Sequence, residues 1–161
     1  MDNRVYVMPC PDYGQAEERL VQLADQMGGM NLFVNKGDKI ALKVNLLRAG
    51  LPDEAVSTHP AVVSAVARMV KKSGAEPLIV DSPGAGFRFT QKVLTKIYNT
   101  NGMTRAADES GAKLNFDTTF EIVSFPEGKL IKRFEVITPI LRADGILNLC
   151  KLKSHTFTAM T

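Results

Sequence analysis

The chain has 161 residues, of which 45% are hydrophobic and 23% charged, and its formal net charge is +3 at pH 7. This length and apolar content predict a single domain with a substantial core. The small, scattered excess of basic residues and the lack of an aromatic and basic RNA-binding motif argue against nucleic acid as a partner. No apolar run approaches the roughly 20 residues of a membrane-spanning helix, and the first residues lack the apolar region of a signal peptide. We therefore predict a cytoplasmic protein without membrane partners.

The first third of the chain predicts two strands separated by a helix. Residues 5–8 are apolar and partly β-branched and precede a Pro-Cys-Pro corner, which indicates a first strand. Asp12 is placed to cap a helix whose apolar side chains have helical spacing over residues 16–27. Residues 40–45 then read as a central strand.

The middle of the chain continues the alternation of helices and strands. Thr58-His59-Pro60 marks a helix start, because proline suits the first helical position and favours an extended His59 as the N-cap. The helix ends near Gly74, and residues 77–81 form the next predicted strand. This alternation predicts a three-layer α/β fold with a mainly parallel sheet and helices on both faces.

The last part of the chain adds a predicted hairpin and a closing strand. The alternating pattern around Pro126-Glu127-Gly128-Lys129 predicts antiparallel strands on either side of this turn, and their mixed charge suits an edge or a projecting ribbon. The predicted elements here are helices over 90–98 and 103–110, a short strand over 113–116, hairpin strands over 121–125 and 130–137, and a buried strand over 146–149.

Polar side chains gather at the predicted carboxyl ends of the strands, where open parallel sheets bind ligands. Lys43 and Asn45 share one face of their strand because they are two residues apart. The candidate catalytic residues are Asp81, His59 and His155. The candidate ligand-binding residues are Lys43, Asn45, Thr58, Ser82, Gly84, Asn148, Lys151 and Lys153.

Three lysines beside a helix N-terminus favour an anionic ligand such as a phosphate or a carboxylate. His59, His155 and Asp81 have side chains that suit zinc or iron, but the nearby ammonium groups oppose a dication, and we predict no directly bound metal. Either histidine suits general acid–base chemistry, and a buried lysine suits nucleophilic chemistry. The residues leave these alternatives open.

The segment over residues 82–86 is glycine-rich but carries neither a dinucleotide-binding fingerprint nor a P-loop. Phe89 stands where a dinucleotide fingerprint requires its third glycine, and the chain has no P-loop sequence. Backbone amides at Gly84 are predicted to approach an anion, whereas the structural alternative is a tight turn. Ser82 lacks the context of a hydrolase nucleophile.

Five segments, in order, resemble the domain-of-unknown-function family numbered 362. They are Cys10-Pro11-Asp12-Tyr13, Lys36-Gly37-Asp38-Lys39 with Lys43-Val44-Asn45-Leu46-Leu47, Thr58-His59-Pro60, Asp81-Ser82-Pro83-Gly84, and Asn148 with Lys151-Leu152-Lys153-Ser154-His155. The resemblance implies a bacterial or archaeal protein. It also implies longer relatives that carry a ferredoxin-like segment with four-iron four-sulfur clusters. The family domain normally continues past Thr161, so we expect residues 1–161 to be a single α/β domain cut from a longer one.

We carry two functional hypotheses forward. The first is a site for an anionic small molecule, in an enzyme whose longer relatives couple to iron–sulfur redox chemistry. The second is a non-catalytic scaffold whose lysines dock a ferredoxin-like domain or another acidic protein. Cys10 and Cys150 are the two cysteines of the chain, and two thiols cannot build a disulfide framework or a four-cysteine cluster. We therefore expect no cofactor in this chain.

Overall fold

A four-stranded parallel sheet organises the chain. The computed structural model describes residues 3–84, 86–155 and 159–160, so Ala85 of the predicted glycine-rich segment and Thr161 lie outside the described residues. The helices are α1 (Ala16–Gln26), α2 (Pro60–Lys72), α3 (Gln91–Thr100), α4 (Met103–Ser110) and α5 (Thr138–Leu141). The strands are β1 (Lys39–Val44), β2 (Glu76–Val80), β3 (Lys113–Leu114), β4 (Phe120–Ser124), β5 (Arg133–Ile137), β6 (Gly145–Leu149), β7 (Ser154–His155) and β8 (Ala159–Met160).

The strand order of the main sheet is β3-β2-β1-β6, and all three pairings are parallel. Helix α2 packs on β1 and β2, while α1 and α4 pack on α2. The sheet is thus flanked by helices and accompanied by antiparallel hairpins, which confirms the predicted three-layer α/β class. The central position of β1 confirms the prediction for residues 40–45.

The core lies between the sheet and its helices. Apolar side chains of β1 and α2 supply much of it, including Ile40, Leu42, Val63 and Val70, each at most 1% exposed. Side chains alternate along a strand, so Lys43 lies on the face of β1 opposite Leu42. Lys43 is also the register partner of Asn148 on β6. The sheet face that carries these two polar residues is therefore opposite the α2-packed core.

Two strand predictions need correction. Residues 5–8 form no strand: Val5 and Val7 are 86% and 80% exposed. The apolar pattern of residues 5–8 pairs with no strand in the described part of the chain. Strand β6 was expected to be buried, yet Ile146 is 53% exposed, because β6 pairs with β1 and has no second neighbour among the described residues of this sheet.

The predicted hairpin is present as a separate two-stranded sheet of β4 and β5. Strand β5 begins at Arg133, three residues later than expected, because Leu130 lies in the connection and is 97% exposed. The predicted caps of α2 and α3 are confirmed: His59 accepts the Ala61 N–H, and Thr90 accepts the Val93 N–H. These caps matter most at α2, whose start lies beside the polar strand ends.

Candidate functional site

An ion pair joins the carboxyl ends of β1 and β2. The Lys43 ammonium lies 3.0 Å from Asp81 Oδ1, and Asp81 Oδ2 accepts the Leu46 N–H at 2.8 Å. Asp81 is buried, whereas the Lys43 side chain is about two-fifths exposed. The sheet therefore brings together two residues that the sequence placed at neighbouring strand ends.

Opposing effects act on the pKa of Asp81. Burial raises this pKa above its ordinary value and is the largest influence, while the Leu46 N–H, the Lys43 ammonium and the Ser82 N–H each lower it. The buried carboxyl therefore depends on its donors to remain ionised. In this setting Asp81 can hold a proton near Lys43, and it also fixes the chain that follows β1.

A second polar network at the strand ends is centred on Thr58. Its hydroxyl accepts the Asn45 N–H at 2.9 Å and donates to the Leu149 carbonyl at 2.6 Å. The Thr58 N–H donates in turn to the Asn45 carbonyl. Thr58 is 4% exposed, so these bonds are shielded from water. One hydroxyl thus ties the ends of β1 and β6 to the residue before the α2 cap.

The Asn45 side chain has an unused acceptor. Its Oδ1 atom is buried, and no donor among the described residues reaches it. A buried polar atom normally has a partner in protein, water or ligand. Asn45 can therefore accept from, or after an amide flip donate to, a group that enters the site.

His59 is held in one tautomer by its role as a helix cap. Its Nδ1 atom accepts the Ala61 N–H at 3.2 Å, so the proton of the neutral imidazole lies on Nε2. Burial lowers the pKa of His59, the Lys151 charge lowers it further, and Asp53 partly offsets them. At neutral pH the free edge of His59 is consequently a hydrogen-bond donor.

Tyr13 belongs to the site, although it is absent from the sequence-based candidates. Its ring stacks on His59 with centroids 3.5 Å apart and planes 4° apart, and its hydroxyl accepts from Lys151 Nζ at 3.0 Å. The available signal was its place at the end of the motif over residues 10–13. A contact across 138 residues could not be read from that motif.

Lys153 bonds to a different segment from Lys151. Its ammonium donates to the Val56 carbonyl at 2.7 Å. Burial and the neighbouring Lys151 charge lower the pKa of Lys153, in that order of size. The two lysines after β6 therefore bond to two different segments, the turn before α1 and the chain that leads into α2.

The other candidates have more local settings. The Gly84 N–H donates to the Leu46 and Leu47 carbonyls, and a Cβ at Gly84 would lie 2.7 Å from a Leu47 methyl, so close packing explains this glycine. Ser82 and Asn148 are exposed. His155 lies in β7 and pairs with Ala159 of β8.

A cavity of about 440 Å³ lies beside the stacked rings. Its walls come from the turn before α1 and from the starts of α2 and α4, with Tyr13, His59, Arg68 and Arg105 among its lining residues. Its volume falls in the usual range for small-molecule sites. Among the described candidates, His59 lines this cavity, whereas the three lysines lie outside it.

The donor set does not match an iron–sulfur cluster. Such clusters usually require four thiolates, while this chain contains two cysteines, both exposed. Across residues 3–84, 86–155 and 159–160, no group of three or more His, Cys, Asp or Glu side chains is placed to hold a metal ion.

The fold and the polar strand ends define an α/β domain with a candidate site at the carboxyl edge of a parallel sheet. Residues 40–161 match the family described as Domain of unknown function (DUF362), and the chain belongs to this family. The relationship confirms the predicted resemblance. No solved structure matches the chain significantly.

One curated relative is the thylakoid-associated protein sll1697 of Synechocystis sp. (strain ATCC 27184 / PCC 6803 / Kazusa). The two proteins are 31% identical over 147 residues, an alignment that covers 86% of this chain and 41% of the relative. The chain thus spans less than half the length of that protein. None of the helices in the described part of the chain has the length and apolar character needed to cross a membrane.

Proposed function

We propose that the protein binds an anionic small molecule at the carboxyl edge of its parallel sheet. The observation that carries this proposal is that two neighbouring lysines bond to two different segments close to His59. Lys151 reaches His59 through Tyr13, and Lys153 bonds to the Val56 carbonyl. Cations gathered beside a neutral imidazole donor favour a phosphate or carboxylate group.

The candidate residues divide into two roles in this proposal. Lys151, Lys153 and the Nε2–H of His59 hold the anionic group. Lys43 and Asp81 form a proton-exchanging pair on the neighbouring strands, since their atoms are already in contact. The unused acceptor of Asn45 orients a donor group of the ligand.

Three further candidate residues have supporting roles in the proposed site. Asn148 contributes from the register position beside Lys43. Thr58 aligns the strand ends through its hydroxyl. His155 remains a second candidate for proton transfer, carried by its place two residues after Lys153.

A titration with inorganic phosphate tests the anion site. The double variant K151M/K153M should lose phosphate binding, measured by isothermal titration calorimetry, because it removes both ammonium groups. The matched control is K129M/K132M, which makes the same change of charge at exposed positions of the β4–β5 connection. Equal affinity in the two double variants would refute the proposal, since only net charge would then matter.

Thermodynamic linkage supplies a second measurement. Phosphate at a hundredfold its dissociation constant should stabilise the native protein by about 2.7 kcal/mol. The stabilisation should be absent in K151M/K153M and retained in K129M/K132M. Citrate offers the same test for carboxylates.

A docking function is the second candidate. The observation that favours it is the position of the lysines outside the cavity beside His59. In this case Lys151 and Lys153 would contact an acidic surface, such as a ferredoxin-like domain. Salt-dependent binding of a ferredoxin-like protein, lost in K151M/K153M, together with no response to phosphate or citrate, would support docking over the small-molecule site.

The redox setting and cellular location belong to the same proposal. We infer that longer relatives couple this domain to four-iron four-sulfur clusters and that the present chain acts in the bacterial cytoplasm. The Synechocystis relative is a thylakoid-associated protein. Metal and sulfide analysis of a longer, anaerobically purified relative tests the first inference, and fractionation of the source cells tests the second.

A further inference from the structure

We propose that Tyr13 positions Lys151 and His59, so that the turn before α1 is a working part of the anion site. This inference rests on the proposed anion-binding function. Tyr13 contacts both donors at once, with its hydroxyl on the Lys151 ammonium and its ring on the His59 imidazole. The three residues come from separate segments of the chain, and their geometry therefore depends on this tyrosine.

The hydroxyl of Tyr13 restrains Lys151 through one hydrogen bond. A lysine ammonium has three protons, so donation to the Tyr13 oxygen at 3.0 Å still permits donation to an anion. The phenolic proton is a further donor, because the oxygen is the acceptor in its bond with Lys151. An anion at this point would receive hydrogen bonds from the lysine and the tyrosine together.

The ring of Tyr13 restrains His59. Aromatic pairs generally prefer offset or edge-to-face arrangements, whereas these planes are within 4° of parallel at a centroid distance of 3.5 Å. The surrounding chain therefore imposes the stack. It fixes the imidazole plane while Nδ1 caps Ala61, and the donor edge at Nε2 is held in one direction.

The turn that carries Tyr13 is itself well anchored. Asp12 accepts the Gly14 N–H and the Gln15 side-chain amide, both at 2.8 Å. The following helix is tied to α2 by two hydrogen bonds from Arg68 to Glu17 at 2.7 and 2.9 Å. Because α2 begins at the His59 cap, the bonds between α1 and α2 also fix the position of Tyr13 relative to His59.

Histidine NMR without ligand tests the positioning role directly. The chain has two histidines, so the histidine signals of an H155Q background come from His59. Stacking should move the His59 carbon-bound protons upfield, and the ¹⁵N shifts should report the Nε2–H tautomer. Y13F should keep both signatures, whereas Y13L should lose the upfield shift and change the tautomer ratio. A wild-type tautomer ratio in Y13L would overturn the proposal, because the upfield shift is lost with the ring whether or not Tyr13 positions His59.

Phosphate titration tests the hydroxyl. Y13F should bind inorganic phosphate about fivefold more weakly, the size expected for one lost hydrogen bond. Y6F is the matched control, since Tyr6 lies next to Arg4 and outside the site. Unchanged or tighter binding by Y13F would overturn the role of the hydroxyl. No phosphate binding by the wild-type protein would refute the anion site, and the ligand-free spectra then decide the positioning role alone.

Discussion

Replacement of Thr58 by valine should destabilise the strand ends strongly. Valine preserves the shape of the side chain but removes the oxygen that accepts the Asn45 N–H and donates to the Leu149 carbonyl. Each buried polar group left without a partner costs about 1–3 kcal/mol. With two such groups around a residue that is 4% exposed, we expect a loss of about 2–6 kcal/mol in the free energy of unfolding.

Urea unfolding, followed by circular dichroism, measures this loss. The control is T58S, which retains the hydroxyl and removes one methyl group, at a cost of about 0.8 kcal/mol. The two variants should show equal m-values, so that their midpoints report stability. If T58V is as stable as T58S, the hydroxyl does not hold β1, β6 and α2 together, and the reasoning about this end of the sheet fails.

Three further predictions concern charge. K43M should raise the pKa of Asp81 further. When the pH falls from 7 towards 3.8, the ordinary pKa of this carboxyl, the K43M variant should therefore recover more stability than the wild type, as measured by urea midpoints. K39M, at an exposed position of β1, should behave as wild type. The pKa of His59 lies below its ordinary 6.5, so its cap stabilises fully above pH 6.5 and stability should decline as the pH falls through 6.5; H59N keeps a capping oxygen and should show a flatter urea profile between pH 7.5 and 5.5. Bound phosphate should offset the positive charge of Lys151 and so raise the pKa of His59. An NMR titration with and without phosphate measures this pKa, and an unchanged value would contradict the prediction.

Local patterns predicted the elements that build the fold. The proline after His59 and the apolar spacing behind it predicted α2, and the central strand over residues 40–45 was predicted from its composition. The short pattern over residues 5–8 failed because four apolar residues do not reveal whether a neighbouring strand exists. The exposure of Ile146 was missed for the same reason, since the position of β6 at one side of the sheet is a non-local property.

The sequence also predicted some contacts of the candidate site and missed others. The rule for strand ends correctly anticipated that Lys43 and Asp81 would meet, because consecutive parallel strands are often neighbours. It could not supply Tyr13, whose contacts with His59 and Lys151 depend on how the first turn packs. It also could not reveal the tautomer of His59, which follows from a hydrogen bond to the backbone.

The Thr58 network has a consequence for the order of folding. Its bond to Leu149 spans 91 residues, and the β4–β5 hairpin lies within that interval. Contacts of such separation carry a large loop-closure cost and generally form late. Lys151 and Lys153, which follow β6, reach the candidate site only when this contact has formed. Phosphate binding should therefore appear with the slowest refolding phase, after helical signal has recovered, in a stopped-flow experiment that follows both.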